Sequence, residues 1–190
     1  MTYLKGLFLV AAVLVSMSVS ASQWRTGVAV SYVSGINDVT DIYEDNLEAE
    51  GYSVDSFTWP VGIAFDAHYE FDSGMRFGVG VGPMAAIISD EADYYELASN
   101  VTIGYTFFPS SSASPYVKAG VSVHFIDGDY VESNDPGLLA AVGYEWSRDS
   151  GMMYSVELAV DTAEATFNTY RSGEEDIRTY DAMVSFIVKF

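Results

Sequence analysis

From residue 23 onward, apolar and polar side chains alternate with period two in eight stretches, the spacing of strands whose faces meet different surroundings. In 23–33 one face collects Trp24, Thr26, Val28, Val30 and Tyr32; in 59–71 it collects Trp59, Val61, Ile63, Phe65, Ala67, Tyr69 and Phe71. Residues 75–88 add Met75, Phe77, Val79, Val81, Pro83, Ala85 and Ile87, and 97–108 add Leu97, Ser99, Val101, Ile103, Tyr105 and Phe107. The second half repeats the pattern. Val117, Ala119, Val121, Val123 and Phe125 align in 116–126, and Leu138, Ala140, Val142, Tyr144 and Trp146 in 137–147. Met152, Tyr154, Val156, Leu158 and Val160 align in 152–161, and Tyr180, Ala182, Val184, Phe186, Val188 and Phe190 in 179–190.

None of these positions is Asp, Glu, Lys or Arg, although 18% of the chain is charged. The opposite faces carry Arg25, Asp66, Glu70, Arg76, Lys118, Glu145, Glu157, Asp161, Asp181 and Lys189 among many Gly, Ala and Ser. Eight such strands predict an all-β fold, an antiparallel up-and-down barrel, and size decides which face points inward. An eight-stranded barrel has room only for ordinary side-chain filling, not for over a dozen aromatic rings. The small and charged face therefore fits the interior and the bulky face meets lipid, where a midplane Arg or Lys would cost roughly 2–4 kcal/mol. This is the pattern of a transmembrane barrel. Aromatic residues support it by clustering at the two ends of the apolar faces, as interfacial girdles do. Trp24, Tyr69, Phe71, Phe77, Tyr105, Phe107, Trp146, Tyr154 and Phe190 are expected at one boundary, and Tyr32, Trp59, Phe125 and Tyr180 at the other.

Linkers alternate in length: 34–58 and 162–178 are long, 89–96 and 127–136 moderate, and 72–74, 109–115 and 148–151 short. Short periplasmic turns and longer external loops are the rule for outer-membrane barrels, so both mature termini are expected in the periplasm. Asp72-Ser73-Gly74 reads as a three-residue hairpin with Gly in the left-handed position. That turn pairs Phe71 with Met75 outward and Glu70 with Arg76 inward. Pro83 lacks a ladder donor, so a bulge or irregularity is expected there, towards the external rim.

Composition narrows the class. A net charge of −19 excludes general affinity for nucleic-acid backbone, while 49% hydrophobic and 15% aromatic residues exclude a disordered acidic chain. Without cysteine there is no disulfide or thiolate metal site. Lys5, the apolar run 6–15 and small residues ending in Val19-Ser20-Ala21 read as a signal peptide over 1–21, with cleavage before Ser22. The alternative is a buried N-terminal helix; the apolar run is too short to cross a bilayer as one. Residues 22–190 are then the barrel domain.

These features, with Tyr180, Val184, Phe186, Val188 and Phe190 ending the chain on an aromatic residue, resemble the small OmpA/OmpX-like outer-membrane barrel superfamily. The resemblance covers the chain from residue 23 to its end. It implies the fold, the Gram-negative outer membrane as compartment, and handling by the barrel-assembly machinery through the terminal aromatic strand. Being one of architecture, it implies no particular activity.

Three constellations carry candidate chemistry. The external loops hold 19 of the 27 acidic residues. Asp38, Asp41, Glu44 and Asp45, or Asp127 and Asp129, could supply oxygen ligands to a divalent cation, but none matches a calcium-loop pattern and a merely solvated acidic surface is the preferred reading. Asp66, His68 and Glu70 share one inward face. A metal or proton-relay site is one reading; the other is an ion network with Arg25, Arg76, Lys118, Glu145, Glu157, Asp181 and Lys189, since burial demands paired charges. Ser122 and His124 share an inward face, but the His-x-Ser arrangement of the lipid A deacylase-like family is not found and both histidines face inward rather than towards lipid, so they do not make a hydrolytic site.

The leading functional expectation is a noncatalytic, porin-like in fold, structural or surface-interaction protein. Its mobile acidic loops would meet cations, lipopolysaccharide or extracellular partners. It would work as a monomer in outer-membrane lipid, without cofactor. The alternatives are a narrow conduit for small, possibly hydrophobic, solutes in the manner of OmpW-like proteins, and, more remotely, a lipid A-modifying enzyme.

Overall fold

The computed structural model describes residues 24–52, 60–88, 92–171 and 173–190. The expected signal peptide 1–21 and Trp59 lie outside the described residues. Eight strands close a barrel: β1 (Trp24–Val33), β2 (Val61–Glu70), β3 (Met75–Ile88), β4 (Asp93–Thr106), β5 (Ala113–Gly128), β7 (Gly137–Trp146), β8 (Met153–Asp161) and β11 (Ala182–Lys189). Each pairs antiparallel with its sequence neighbours, and β1 closes on β11 from Gly27↔Lys189 to Val33↔Met183. The barrel is up-and-down, so Trp24 and Phe190 lie at the end that also carries the short turns.

Period-two alternation settles which residues face inward. Val101 and Leu138 are 65% and 66% exposed at the barrel exterior, whereas Glu145 and Lys189 on the opposite faces are 0% and 2% exposed. The turn after β2 is built as its sequence requires. Gly74 has φ +88°, a conformation that costs a side-chain-bearing residue steric energy. Gly74 N–H donates to the Phe71 carbonyl and Phe71 N–H to the Met75 carbonyl. The register then pairs Glu70 with Arg76, both inward.

Pro83 interrupts the β3–β4 ladder, which shifts by one residue between Val81 and Met84. A one-residue bulge exchanges the faces of everything beyond it. The expected outward placement of Pro83, Ala85 and Ile87 is therefore corrected: all three are buried, and Met84 is exposed instead. Tyr180 also departs from expectation. It precedes β11 in a turn rather than continuing its alternation, and it is buried, not a membrane-interface residue. Asp181, expected inside, is exposed beside Arg178 for the same reason.

Where they are described, the segments expected to be mobile loops carry regular structure. Residues after β1 form helix α1 (Ile36–Glu50), whose Ile36, Val39, Tyr43 and Leu47 line one buried face at helical spacing. Gly51 ends it in the left-handed conformation, its N–H donating to the Glu48 carbonyl. Strands β6 (Val131–Asp135), β9 (Glu164–Thr169) and β10 (Gly173–Ile177) make a three-stranded sheet in the order β10-β9-β6. Helix and sheet close the barrel end opposite the termini. Val39, Tyr43, Leu47 and Phe167 of this cap join Tyr94, Ala98, Leu139 and Met183 of the barrel in one apolar core.

Candidate functional site

Within the barrel, the inward residues assemble into two polar layers. The lower layer centres on Glu145, reached from three sides. Arg76 Nη2 and Lys189 Nζ each donate to its Oε1 at 2.8 Å, and Arg148 donates to Oε2. Glu70 takes a second bond from Arg148 and one from the Thr106 hydroxyl at 2.8 Å, with Arg76 Nε 4.0 Å away. Lys118 pairs with Glu157 at 2.9 Å, and Lys189 lies 3.8 Å from Asp66. Each charge thus finds partners of opposite sign, which offsets the several kcal/mol each ion loses on leaving water.

Tyr116 fills the middle of this layer. Its hydroxyl donates to Glu157 at 2.7 Å, and its ring lies beneath the Arg76 guanidinium at 4.4 Å and the Lys189 ammonium at 5.2 Å. Gly143 makes the space: a Cβ there would stand 2.3 Å from the Tyr116 ring. Arg76 also donates to His68 Nε2, which leaves Nδ1 as the protonated nitrogen facing Asp66 Oδ1 at 3.4 Å. A ring nitrogen that accepts from a guanidinium holds no proton, so His68 is neutral.

Asp66, His68, Glu70, Arg76, Lys118, Glu145, Glu157 and Lys189 thus stand together in one layer. Arg25 differs: it bonds the Arg148 carbonyl at 3.3 Å, at the mouth below, rather than a carboxylate. Arg148 is the member that sequence reasoning missed. It sits in a turn, outside any alternating stretch, and its side chain folds back into the lumen.

The upper layer was only half legible. His124 Nδ1 lies 2.6 Å from Glu96 Oε1, and Nε2 lies 3.3 Å from Asp161 Oδ2. Ser122 donates to Asp161 at 2.6 Å, Tyr94 to Glu96 at 2.6 Å, and Thr179 to Glu96. Glu96 was assigned to a linker, yet it shares the inward parity of Ala98 and Asn100; extending that alternation by one residue would have found it. Ser122 turns its hydroxyl to the Asp161 carboxylate rather than to His124, so the Ser–His contact of a hydrolytic dyad is not made.

The oxygen-ligand candidates do not form a cation site. Asp38 and Asp41 are exposed and Glu44 half-buried on α1, and Asp45 pairs with Arg171 at 3.1 Å. Asp127 is exposed on β5, and Asp129 accepts from the Asp93 N–H at 2.9 Å. Among the described residues, no three His, Asp or Glu side chains converge as a metal site.

Outside, Trp24, Phe71, Phe107 and Phe190 are exposed around the end bearing the termini, with Trp146 half-buried against Tyr154 at 5.9 Å; Tyr32 and Phe125 stand towards the capped end. Trp24, Tyr69, Phe71 and Phe77 form a chain of edge-to-face contacts at 5.4, 4.8 and 5.9 Å. A continuous apolar exterior around an ionised interior is the arrangement that hydrocarbon surroundings favour.

No protein-family model matches the chain, and neither does any curated protein. Solved structures do. Outer membrane protein OprG from Pseudomonas aeruginosa superimposes with a TM-score of 0.52 at 12% identity, covering 88% of this chain and 94% of that one. Outer membrane protein W of E. coli gives 0.51 at 16% identity, covering 90% and 98%. Neisserial surface protein A gives 0.51 at 11%, covering 89% and 96%. The chain has the fold of the small OmpA/OmpX-like outer-membrane barrels.

Proposed function

We propose that this chain is exported and inserts in the Gram-negative outer membrane as a monomeric, noncatalytic barrel, with its cap outside and a structural or surface-interaction role. One observation carries the reading: the residues exposed around the barrel are apolar, while the paired charges are enclosed. The signal-peptide pattern over 1–21 supports export. The short turns and both described ends lie opposite the cap, which supports periplasmic termini.

In this reading the exterior contacts lipid and lipopolysaccharide, and the aromatic terminal strand is what the barrel-assembly machinery engages. The acidic cap surface meets partners or loosely bound cations. The conduit alternative is disfavoured because the lower ion layer and the cap core obstruct the lumen at two levels. Between them lies a cavity of about 50 Å³, room for a few waters. A lipid-modifying activity is disfavoured because Ser122 and His124 face the lumen, away from lipid.

Cell fractionation followed by heat-dependent gel mobility tests the proposal. Recovery in the outer membrane with faster migration before boiling is expected; a water-soluble mature protein would overturn it. Reconstituted in a planar bilayer, the protein should be silent, and discrete conductance steps would favour the conduit.

A further inference from the structure

The upper polar layer reaches α1, β6 and β9 of the cap. Glu96 holds the Tyr94 hydroxyl, and the Tyr94 ring packs on Tyr43 of α1 at 5.7 Å and Phe167 of β9 at 6.1 Å. Asn134 of β6 donates to the His124 carbonyl. Asp161 accepts the Ala163 N–H at 2.9 Å, where the chain leaves β8 for β9. Thr179 bonds Glu96, and the Tyr180 ring packs on His124 at 4.9 Å while its hydroxyl donates to the Pro83 carbonyl at 3.1 Å.

His124 is the only member that can carry a positive charge. The ionisable groups facing it are Glu96 and Tyr94 from β4, Asp161 from β8, and Tyr180 from the turn before β11; β3 offers only the Pro83 carbonyl. Among the described residues, neither Glu96 nor Asp161 pairs with Lys or Arg, and both partner His124 instead. Arg178 and Asp181 are exposed and pair with each other, Arg178 also with Glu164.

Each ring nitrogen of His124 faces a carboxylate oxygen. A neutral imidazole has one N–H and could satisfy only one of them. Both carboxylates already accept neutral donors: Glu96 from Tyr94 and Thr179, Asp161 from Ser122 and the Ala163 N–H. A ring protonated at both nitrogens donates to both carboxylates at once, the arrangement the two contacts call for.

We propose that His124 is a buried imidazolium acting as a proton-dependent latch, and that this one proton holds the cap closed on the barrel. Losing it leaves Glu96 and Asp161 buried without a counter-charge. Repulsion and rehydration then draw the 178–181 turn and the Tyr94–Tyr43 contact apart. Release is thus driven by alkaline pH. The latch regulates access to the upper lumen whatever the cap's compartment, so its failure is distinguishable from a failed fractionation.

The test uses the full-length barrel in lipid nanodiscs with 15N-labelled histidine. At neutral pH both His124 ring nitrogens should carry protons, whereas His68 should show one. Raising the pH until one His124 proton is lost should increase amide exchange across 36–47 and 164–180 about tenfold or more, after correction for base catalysis. His124→Gln should show raised exchange at neutral pH without the pH step. If that variant fails to fold, the wild-type titration still decides. A single protonated nitrogen at neutral pH overturns the proposal. So does cap exchange that stays flat through deprotonation, or an unchanged pH step in His124→Gln.

Discussion

Arg76 and Glu145, 69 residues apart, meet across the lumen with Nη2 2.8 Å from Oε1. The same oxygen holds Lys189 at 2.8 Å, and Arg148 holds its neighbour. One carboxylate therefore ties strands β3, β7 and β11 together.

Removing that carboxylate leaves three cations gathered without it. Glu145→Ala should destabilise the barrel by about 3–5 kcal/mol, the cost of breaking a buried ion pair on one side. Urea unfolding in lipid vesicles measures this; an unchanged midpoint would show the layer to be incidental.

Gly143 and Tyr116 should behave as one unit. Gly143→Val drives a side chain into the Tyr116 ring, since even its Cβ would lie 2.3 Å away. Poor refolding is expected. Adding Tyr116→Ala should restore much of the refolded fraction, a non-additivity expected of touching residues. A double variant no better than the single would mean that Gly143 serves another purpose.

In the proposed membrane placement Val101, 65% exposed in mid-strand, faces lipid. Val101→Arg should lower stability in bilayers by roughly 2–4 kcal/mol. A surface arginine on a water-soluble barrel would leave the unfolding midpoint nearly unmoved.

High pH should act on the cap through its phenols as well. Burial and then the Glu50 carboxylate push the Tyr130 hydroxyl up from the ordinary 10.0 to about 12. A group whose folded value is raised contributes stability that is intact below about pH 10 and lost as pH climbs through 12. The tyrosinate absorbance difference between wild type and Tyr130→Phe should titrate near the upper figure. A midpoint near 10 would place Tyr130 in open water.

Legibility followed the range of the forces involved. The linker 34–58 could have been read further, for Ile36, Val39, Tyr43 and Leu47 already stand at helical spacing within it. The acidic residues between them masked that pattern, because they mark a solvated helix face as readily as a loop. Glu96 lay one residue beyond the assigned start of its strand, so the partner of His124 stayed hidden.

What the chain alone determined is its two-faced ribbon. Steric alternation sends neighbouring side chains to opposite sides, so Glu70 and Arg76 were bound to meet inside once Gly74 turned the chain. Tertiary structure decided what alternation cannot reach. The bulge at Pro83 moved Ala85 and Ile87 inward, Tyr180 left the rhythm of β11, and Glu96, His124 and Asp161 came together from three strands. Each depends on contacts between residues far apart in sequence, and no local periodicity encodes those.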